Sequence, residues 1–96
     1  MPHYLIAKIN ITDRERYSQY ETGFKEIFDR FEGKFLAMDE DVKVLEGDWP
    51  VTRTVLIEFP SQATALDWYS SDDYQQLAKH RFAASEADIV IIQGLG

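Results

Sequence analysis

The sequence predicts an α+β fold, a ferredoxin-like βαββαβ sandwich, on two observations. Strand and helix patterns follow one another in the order strand, helix, strand, strand, helix, strand, which is the order of the split-βαβ arrangement. The chain has 96 residues, so two βαβ halves fill it and leave no room for a linker. A chain of this length can bury a core without staples. We therefore predict one domain over residues 1–96.

The first half contains a strand, a helix and a second strand. Residues 3–11 are rich in β-branched and aromatic side chains and form the first strand. The stretch Thr12-Asp13-Arg14-Glu15 has capping-box spacing, in which the Thr12 hydroxyl is expected to cap the helix that begins here. Gly33 ends the helix as a residue free to take positive φ, and residues 34–38 form the second strand. The apolar stripe of the helix comprises Tyr17, Tyr20, Phe24, Ile27, Phe28 and Phe31.

The second half begins with a loop. Residues 39–41 are three adjacent carboxylates and predict a solvated turn, residues 42–45 are expected to resume extended structure, and residues 46–50 form a turn around Trp49. Residues 52–59 give the strongest strand pattern up to that point. Pro60 ends it, and Ser61 caps a helix over residues 62–69, which residues 70–73 separate from the next helical stretch. A continuously apolar strand at residues 89–92 follows, before the tail 94–96.

Composition and charge exclude several classes of function. The chain carries 17 acidic and 10 basic side chains, a net charge of −7, so nucleic acid and anionic membranes are not expected partners. It has no cysteine, which excludes a disulfide framework and a Cys-based zinc site. The residues after Met1 include no basic stretch, and no apolar run approaches the ~20 residues of a membrane span. We therefore expect a cytoplasmic protein.

The strands predict a second copy of the chain. Helices can cover one face of a four-stranded sheet. The first strand, however, has apolar residues at both odd and even positions, and residues 89–92 are apolar at four successive positions. Both faces are therefore expected to be covered. We predict a homodimer through the sheet faces. The alternative is a monomer with ordinary exposed apolar residues.

Several stretches resemble a known bacterial family, called domain of unknown function thirteen-thirty. The resemblance is carried by residues 4–7, Thr12-Asp13, Tyr17 and Tyr20, residues 46–49 with Arg53, residues 55–61, and residues 65–71 with Tyr74 and Arg81. It implies a dimeric α+β barrel, in which two ferredoxin-like sheets pack face to face. It implies no activity, although the wider barrel group includes cofactor-independent monooxygenases, isomerases and haem-dependent enzymes. Any activity taken from that group is analogy at the level of the fold.

Glu58 is the first candidate for chemistry, because it is an ionisable group inside an apolar strand. It needs a charged partner or a place at the mouth of a pocket. Arg81 is the expected partner, because Arg53 lies five positions away on the same strand and points to the opposite face. Two interpretations follow: a structural Glu58–Arg81 ion pair, or Glu58 as a general base in an aromatic pocket.

The aromatic residues are the second set of candidates. They fill a core or line a pocket for a flat organic molecule, with Tyr20, Trp68 and Arg81 among the predicted ligand-binding residues. Trp49 with Arg53 is the most ligand-like group, since arginine binds carboxylates and tryptophan stacks. Trp49 as a dimer contact is the alternative.

Two classes of function remain open from the sequence. One is a protein that binds a small aromatic or organic-acid metabolite. The other is a cofactor-independent monooxygenase- or isomerase-like enzyme, with Glu58 or Glu46 as base and Arg53 as anion anchor. We expect no cofactor and no metal, because phosphate loops and metal-ligand spacings are missing and His80, beside two basic residues, is typical of a surface position.

Overall fold

The predicted order of elements is confirmed in a computed structural model that describes residues 1–96. Four antiparallel strands form one sheet, and three helices pack on one of its faces. The elements are β1 (His3–Ile11), α1 (Arg14–Phe28), β2 (Lys34–Asp39), β3 (Arg53–Phe59), α2 (Gln62–Tyr69), α3 (Asp72–Ala84) and β4 (Ser85–Gln93). None of the helices is long and apolar enough to cross a membrane.

The strand order β2-β3-β1-β4 makes β3 and β1 the two inner strands of the sheet. Leu5 of β1 lies opposite Ile57 of β3 and Ile91 of β4, so the odd-numbered residues of these strands share the face beneath the helices. We call this the helix-side face, and the opposite one the outer face. The core lies between the helices and the helix-side face, with Phe59, Ala65, Ala78 and Tyr74 among its most deeply buried residues.

The split of the second helical region is confirmed. α2 ends at Tyr69, and the hydroxyl of Ser71 accepts a hydrogen bond from the backbone N–H of Tyr74 at 3.2 Å, which caps α3. The chain thereby turns between two short helices. This turn brings Trp68 and Tyr74 into contact, with ring centroids 4.2 Å apart.

Both predicted ends of α1 need correction. The N-cap is Asp13, whose side chain accepts from the N–H of Arg16 at 3.0 Å, because the hydroxyl of Thr12 donates instead to the carbonyl of Ala84 at 3.1 Å. The helix ends at Phe28, five residues before Gly33, and Gly33 does not have positive φ. Glycine is required there for space: a Cβ would lie 2.5 Å from the Phe28 ring.

Residues 42–45 are not a strand, contrary to the prediction. They pair with no strand and therefore lack the ladder hydrogen bonds that define one. Instead they form a groove with Trp49 and Thr54.

The outer face is exposed in the single chain. Val90 is 53% and Ile92 47% exposed, although they alternate with Ile89 and Ile91, which pack against the core. Tyr4, Ile6 and Leu56 lie on the same face and are half-buried. The expected burial of β4 on both faces is therefore met on one face only within one chain.

Candidate functional site

A cavity of about 180 Å³ lies between the helices and the helix-side face of the sheet. Its floor is made by inward side chains of β1 and β3, including Leu5, Ala7 and Val55. Its roof is aromatic, because the α1 stripe and the α2–α3 turn place their rings over the same part of the sheet. The rings that line the cavity are Tyr17, Tyr20, Phe24, Phe35, Trp68 and Tyr74.

Arg81 places a buried positive charge at this cavity. The residue is 4% exposed, lies on the inward side of α3 and has no carboxylate within salt-bridge distance. Its Nε and Nη2 atoms are buried without a hydrogen-bond partner. Burial opposes the charge, but the neighbouring Tyr74 and Tyr20 hydroxyls favour it, and the pKa of Arg81 lies above its ordinary value. The guanidinium is thus a buried cation with free donors.

Three more polar groups lie in the same lining. The hydroxyls of Tyr20 and Tyr74 are hydrogen-bonded to each other at 2.8 Å, and the indole N–H of Trp68 is buried without a partner. Burial and the adjacent Tyr74 raise the pKa of Tyr20 well above its ordinary value, so its phenol stays neutral. The lining residues therefore combine unpartnered donors, a cation and aromatic rings, which together suit an anion with an apolar body.

The hydroxyl pair predicts a coupled effect on stability. Tyr20→Phe or Tyr74→Phe alone leaves one buried hydroxyl unpaired and should lower the free energy of unfolding by about 1–3 kcal/mol. The double variant removes both hydroxyls and should cost less than the sum of the single variants. Urea unfolding of the three variants and the wild type measures the coupling. If the losses of unfolding free energy in the two single variants add up to the loss in the double variant, the hydrogen bond between the two hydroxyls is contradicted.

The rim of the cavity is closed on one side by an ion-pair network. Arg53, at the start of β3, donates from Nη2 and Nε to Glu40 at 2.6 and 2.9 Å, and from Nη1 to Glu21 at 3.1 Å. Arg14 donates from Nη1 and Nη2 to the same Glu40 carboxylate at 3.0 and 3.2 Å. The network joins three parts of the chain: α1, β3 and the loop that follows β2. It also means that two carboxylates already neutralise Arg53.

Glu40 should make stability depend on pH in the acid range. The hydrogen bonds from Arg14 and Arg53 lower the pKa of its carboxyl from 4.5 to about 2. A depressed folded-state pKa contributes stability above the unfolded value, and that contribution is lost as pH falls from about 4.5 towards 2. The melting temperature of Glu40→Gln should therefore lie below that of the wild type at pH 6, and the gap should close towards pH 2.

The control for this experiment is Asp41→Asn, since the Asp41 carboxylate makes no ion pair. Its melting temperature should follow that of the wild type across the range. A difference in melting temperature between Glu40→Gln and the wild type that stays constant from pH 6 to pH 2 would contradict a lowered pKa of Glu40.

The structure brings four of the seven predicted site residues together. Tyr20, Trp68, Arg53 and Arg81 all line the cavity. Trp49 does not: its indole N–H donates to Thr54 at 2.8 Å, and the Lys8 ammonium lies 4.4 Å from its ring centroid, on the outer-face side. Glu46 lies in the groove beside Trp49.

The expected Glu58–Arg81 ion pair does not form. Glu58 lies opposite Tyr4 and Lys34 in the sheet and points to the outer face, whereas Arg81 lies on α3 and faces the helix-side cavity. The sheet separates them. Glu58 instead lines a shallow surface depression beside Pro60, so it is no base for a ligand in the cavity.

Sequence reasoning missed Glu21 and Glu40. Glu21 lies one position after Tyr20 and four after Tyr17, which puts it at the edge of the inward stripe of α1. This spacing is the sequence feature that could have identified Glu21 as a residue of the site. Glu40 belongs to a run of three acidic residues, and no pattern distinguishes it from Asp39 and Asp41, which make no ion pair. No group of three or more His, Asp or Glu side chains is placed to hold a metal ion.

Comparison with known proteins agrees with the fold. A family model described as "Domain of unknown function (DUF1330)" matches residues 2–95, which confirms the resemblance found in the sequence. None of the curated proteins matches the chain.

Solved structures of similar fold include proteins with and without a described activity. A protein of unknown function from Rhodopseudomonas palustris is 20% identical, with 99% of this chain and 83% of that chain covered and a TM-score of 0.82. A dimeric ferredoxin-like protein of unknown function from Thermobifida fusca is 14% identical, with coverages of 98% and 92% and a TM-score of 0.69. SnoaB, a cofactor-independent oxygenase from Streptomyces nogalater, is 9% identical, with coverages of 99% and 94% and a TM-score of 0.69. At these identities the likeness shows the ferredoxin-like fold.

Proposed function

We propose that this chain, which belongs to the family described as Domain of unknown function (DUF1330), binds a small organic anion in the cavity between the helices and the helix-side face. The observation that carries the proposal is Arg81, a buried cation with two free donors and no counter-ion. An unpaired charge in an apolar interior is costly to the folded protein. A bound anion supplies the missing counter-charge and takes up the free hydrogen bonds.

Arg81 is better suited to this role than Arg53. Both line the cavity, but the guanidinium of Arg53 is already held by Glu40 and Glu21. A ligand carboxylate at Arg53 would compete with two carboxylates that belong to the protein. At Arg81 it would compete with none. We therefore assign Arg81 to the anion, and Arg53 to holding the rim.

Binding is favoured over catalysis by the position of the carboxylates. An isomerase or a monooxygenase that removes a proton needs a base within hydrogen-bond reach of its substrate. Glu58 points to the outer face and Glu46 lies in the outer groove. Glu21 is the one carboxylate in the cavity lining, and it accepts a hydrogen bond from Arg53.

The direct test is calorimetric titration of the protein with sodium salts of small carboxylic acids, from butyrate to benzoate, and with the neutral amide of each. At least one carboxylate should bind with a stoichiometry of one per chain, and its amide should bind at least about tenfold more weakly, because the amide carries no charge for Arg81. Equal binding of acid and amide, or no binding in the series, would contradict the proposal.

We further propose that the protein is a homodimer through the outer face. The support is the exposed apolar surface of Val90 and Ile92 beside half-buried Ile6 and Leu56, together with a neighbour of this fold that is described as dimeric. Contiguous apolar surface of this kind is typical of an interface. Trp49 and the exposed Leu45 flank the same face and would extend the contact. The cytoplasmic location and the lack of nucleic-acid and membrane partners stay predictions.

A further inference from the structure

We infer that the ligand is a monocarboxylate with a single aromatic ring, of the size of benzoate. The inference rests on the proposed binding function and specifies the ligand by three features of the cavity. These are its volume, its balance of charge and the geometry of its free donors.

The volume matches a ligand with one ring. The cavity measures about 180 Å³. An apolar protein cavity of about 150 Å³ accommodates benzene. The remaining space suits a small substituent such as a carboxylate. The Trp68 and Tyr74 rings, with centroids 4.2 Å apart, belong to the wall of this space.

The charge balance limits the ligand to one negative charge. Among the lining residues, Arg53 and Arg81 are cationic and Glu21 is anionic, and Glu40 adds a second carboxylate to Arg53 at the rim. Arg81 is left as the single cation without a counter-ion. A second carboxylate or a phosphate dianion would enter a lining with nothing to neutralise it.

The geometry of the free donors points to a carboxylate. The two unpartnered nitrogens of Arg81 are Nε and Nη2, which lie on one edge of the planar guanidinium. Their N–H bonds are parallel and match the two oxygens of a carboxylate in a bidentate pair. The free indole N–H of Trp68 adds one donor in the same cavity. The apolar remainder is walled by aromatic rings such as Tyr20 and Phe24, against which a flat ring packs edge to face.

A series of carboxylates tests this inference by calorimetry. Benzoate should bind about tenfold or more tightly than butyrate, the change expected when a ring is buried. It should also bind more tightly than 2-naphthoate, which exceeds the volume, and than terephthalate, which carries a second charge. If butyrate or 2-naphthoate binds as tightly as benzoate, the inference fails while anion binding stands. If no member binds, the proposed function fails with it.

A variant in the floor of the cavity tests whether cavity size sets the preference for benzoate over 2-naphthoate. Val55→Ala enlarges the cavity from below, and should bring the affinity for 2-naphthoate closer to that for benzoate. The matched control is Val90→Ala, the same change on the outer face, which should leave the preference unchanged. An unchanged preference in Val55→Ala, with wild-type secondary structure by circular dichroism, would overturn the assignment of ring size to this cavity.

Discussion

Replacing Arg81 by methionine should weaken the binding of small carboxylates strongly and leave the stability of the protein close to that of the wild type. Hydrogen bonds to charged groups contribute about 1.5–3 kcal/mol, so losing the bidentate pair should weaken binding by roughly 10- to 150-fold. Replacing an unpaired buried charge by an apolar side chain of similar length removes a desolvation cost. Weakened binding and retained stability are expected together, because two nitrogens of Arg81 make no hydrogen bond in the unliganded fold and only its contacts with the Tyr20 and Phe82 rings offset the cost of the buried charge.

Arg53→Met is the matched control, since Arg53 lines the same cavity but donates to Glu40 and Glu21. It should lower the melting temperature and should leave Arg81 able to bind the ligand. The pair of variants is measured by calorimetry with benzoate and by thermal unfolding. If Arg81→Met is strongly destabilised and still binds benzoate like the wild type, Arg81 has a structural role and the proposed function is wrong.

Replacing Val90 by aspartate should convert the proposed dimer into monomers. Val90 is 53% exposed in one chain and lies among the apolar residues of the outer face. Both chains of a twofold dimer carry the substitution, so formation of the interface would require the desolvation of two unpaired carboxylates. Because the single chain already exposes this side chain, the substitution leaves the core intact.

Sedimentation equilibrium at micromolar concentration measures this change. The wild type should have about twice the chain mass of 11.2 kDa, and Val90→Asp should have the chain mass. Leu66→Asp is the control, because Leu66 of α2 is 46% exposed on the helix layer. It should remain dimeric. A wild type that sediments as a monomer, or a Val90→Asp variant that stays dimeric, would contradict the outer-face interface.

The fold could be predicted because its signals are local. The β-branched and aromatic content of residues 3–11 and the α1 stripe from Tyr17 to Phe28 each predict an element from neighbouring residues alone. The errors lie at ends and in loops. Thr12 and Asp13 are both good caps, and the choice between them is made by the carbonyl of Ala84, which is 72 positions from Thr12. Gly33 is required by a ring packed against it, and no local pattern encodes that contact.

The candidate site was predictable in its residue types and not in its pairing. Tyr20 and Trp68 were predictable from their aromatic side chains, whereas Arg81 was predicted as the partner of Glu58 and lines the cavity without that partner. The pairing of Glu58 with Arg81 was wrong because an ion pair depends on which face of the sheet a helix covers. Arg53 lies on that helix-covered face, and it takes its counter-ions from α1 and from the loop after β2. Those contacts are set by tertiary structure.

An anion site in the helix-side cavity can be detected with the two tryptophans of the chain as reporters. Trp68 lines the cavity with a free indole N–H, whereas Trp49 lies on the outer side and donates to Thr54. In a ¹⁵N-labelled protein titrated with benzoate, the Trp68 indole resonance should move and saturate while that of Trp49 stays in place, and Trp49→Phe assigns the two signals. A Trp68 resonance that does not move at saturating benzoate, or a response confined to Trp49, would contradict an anion site in the helix-side cavity.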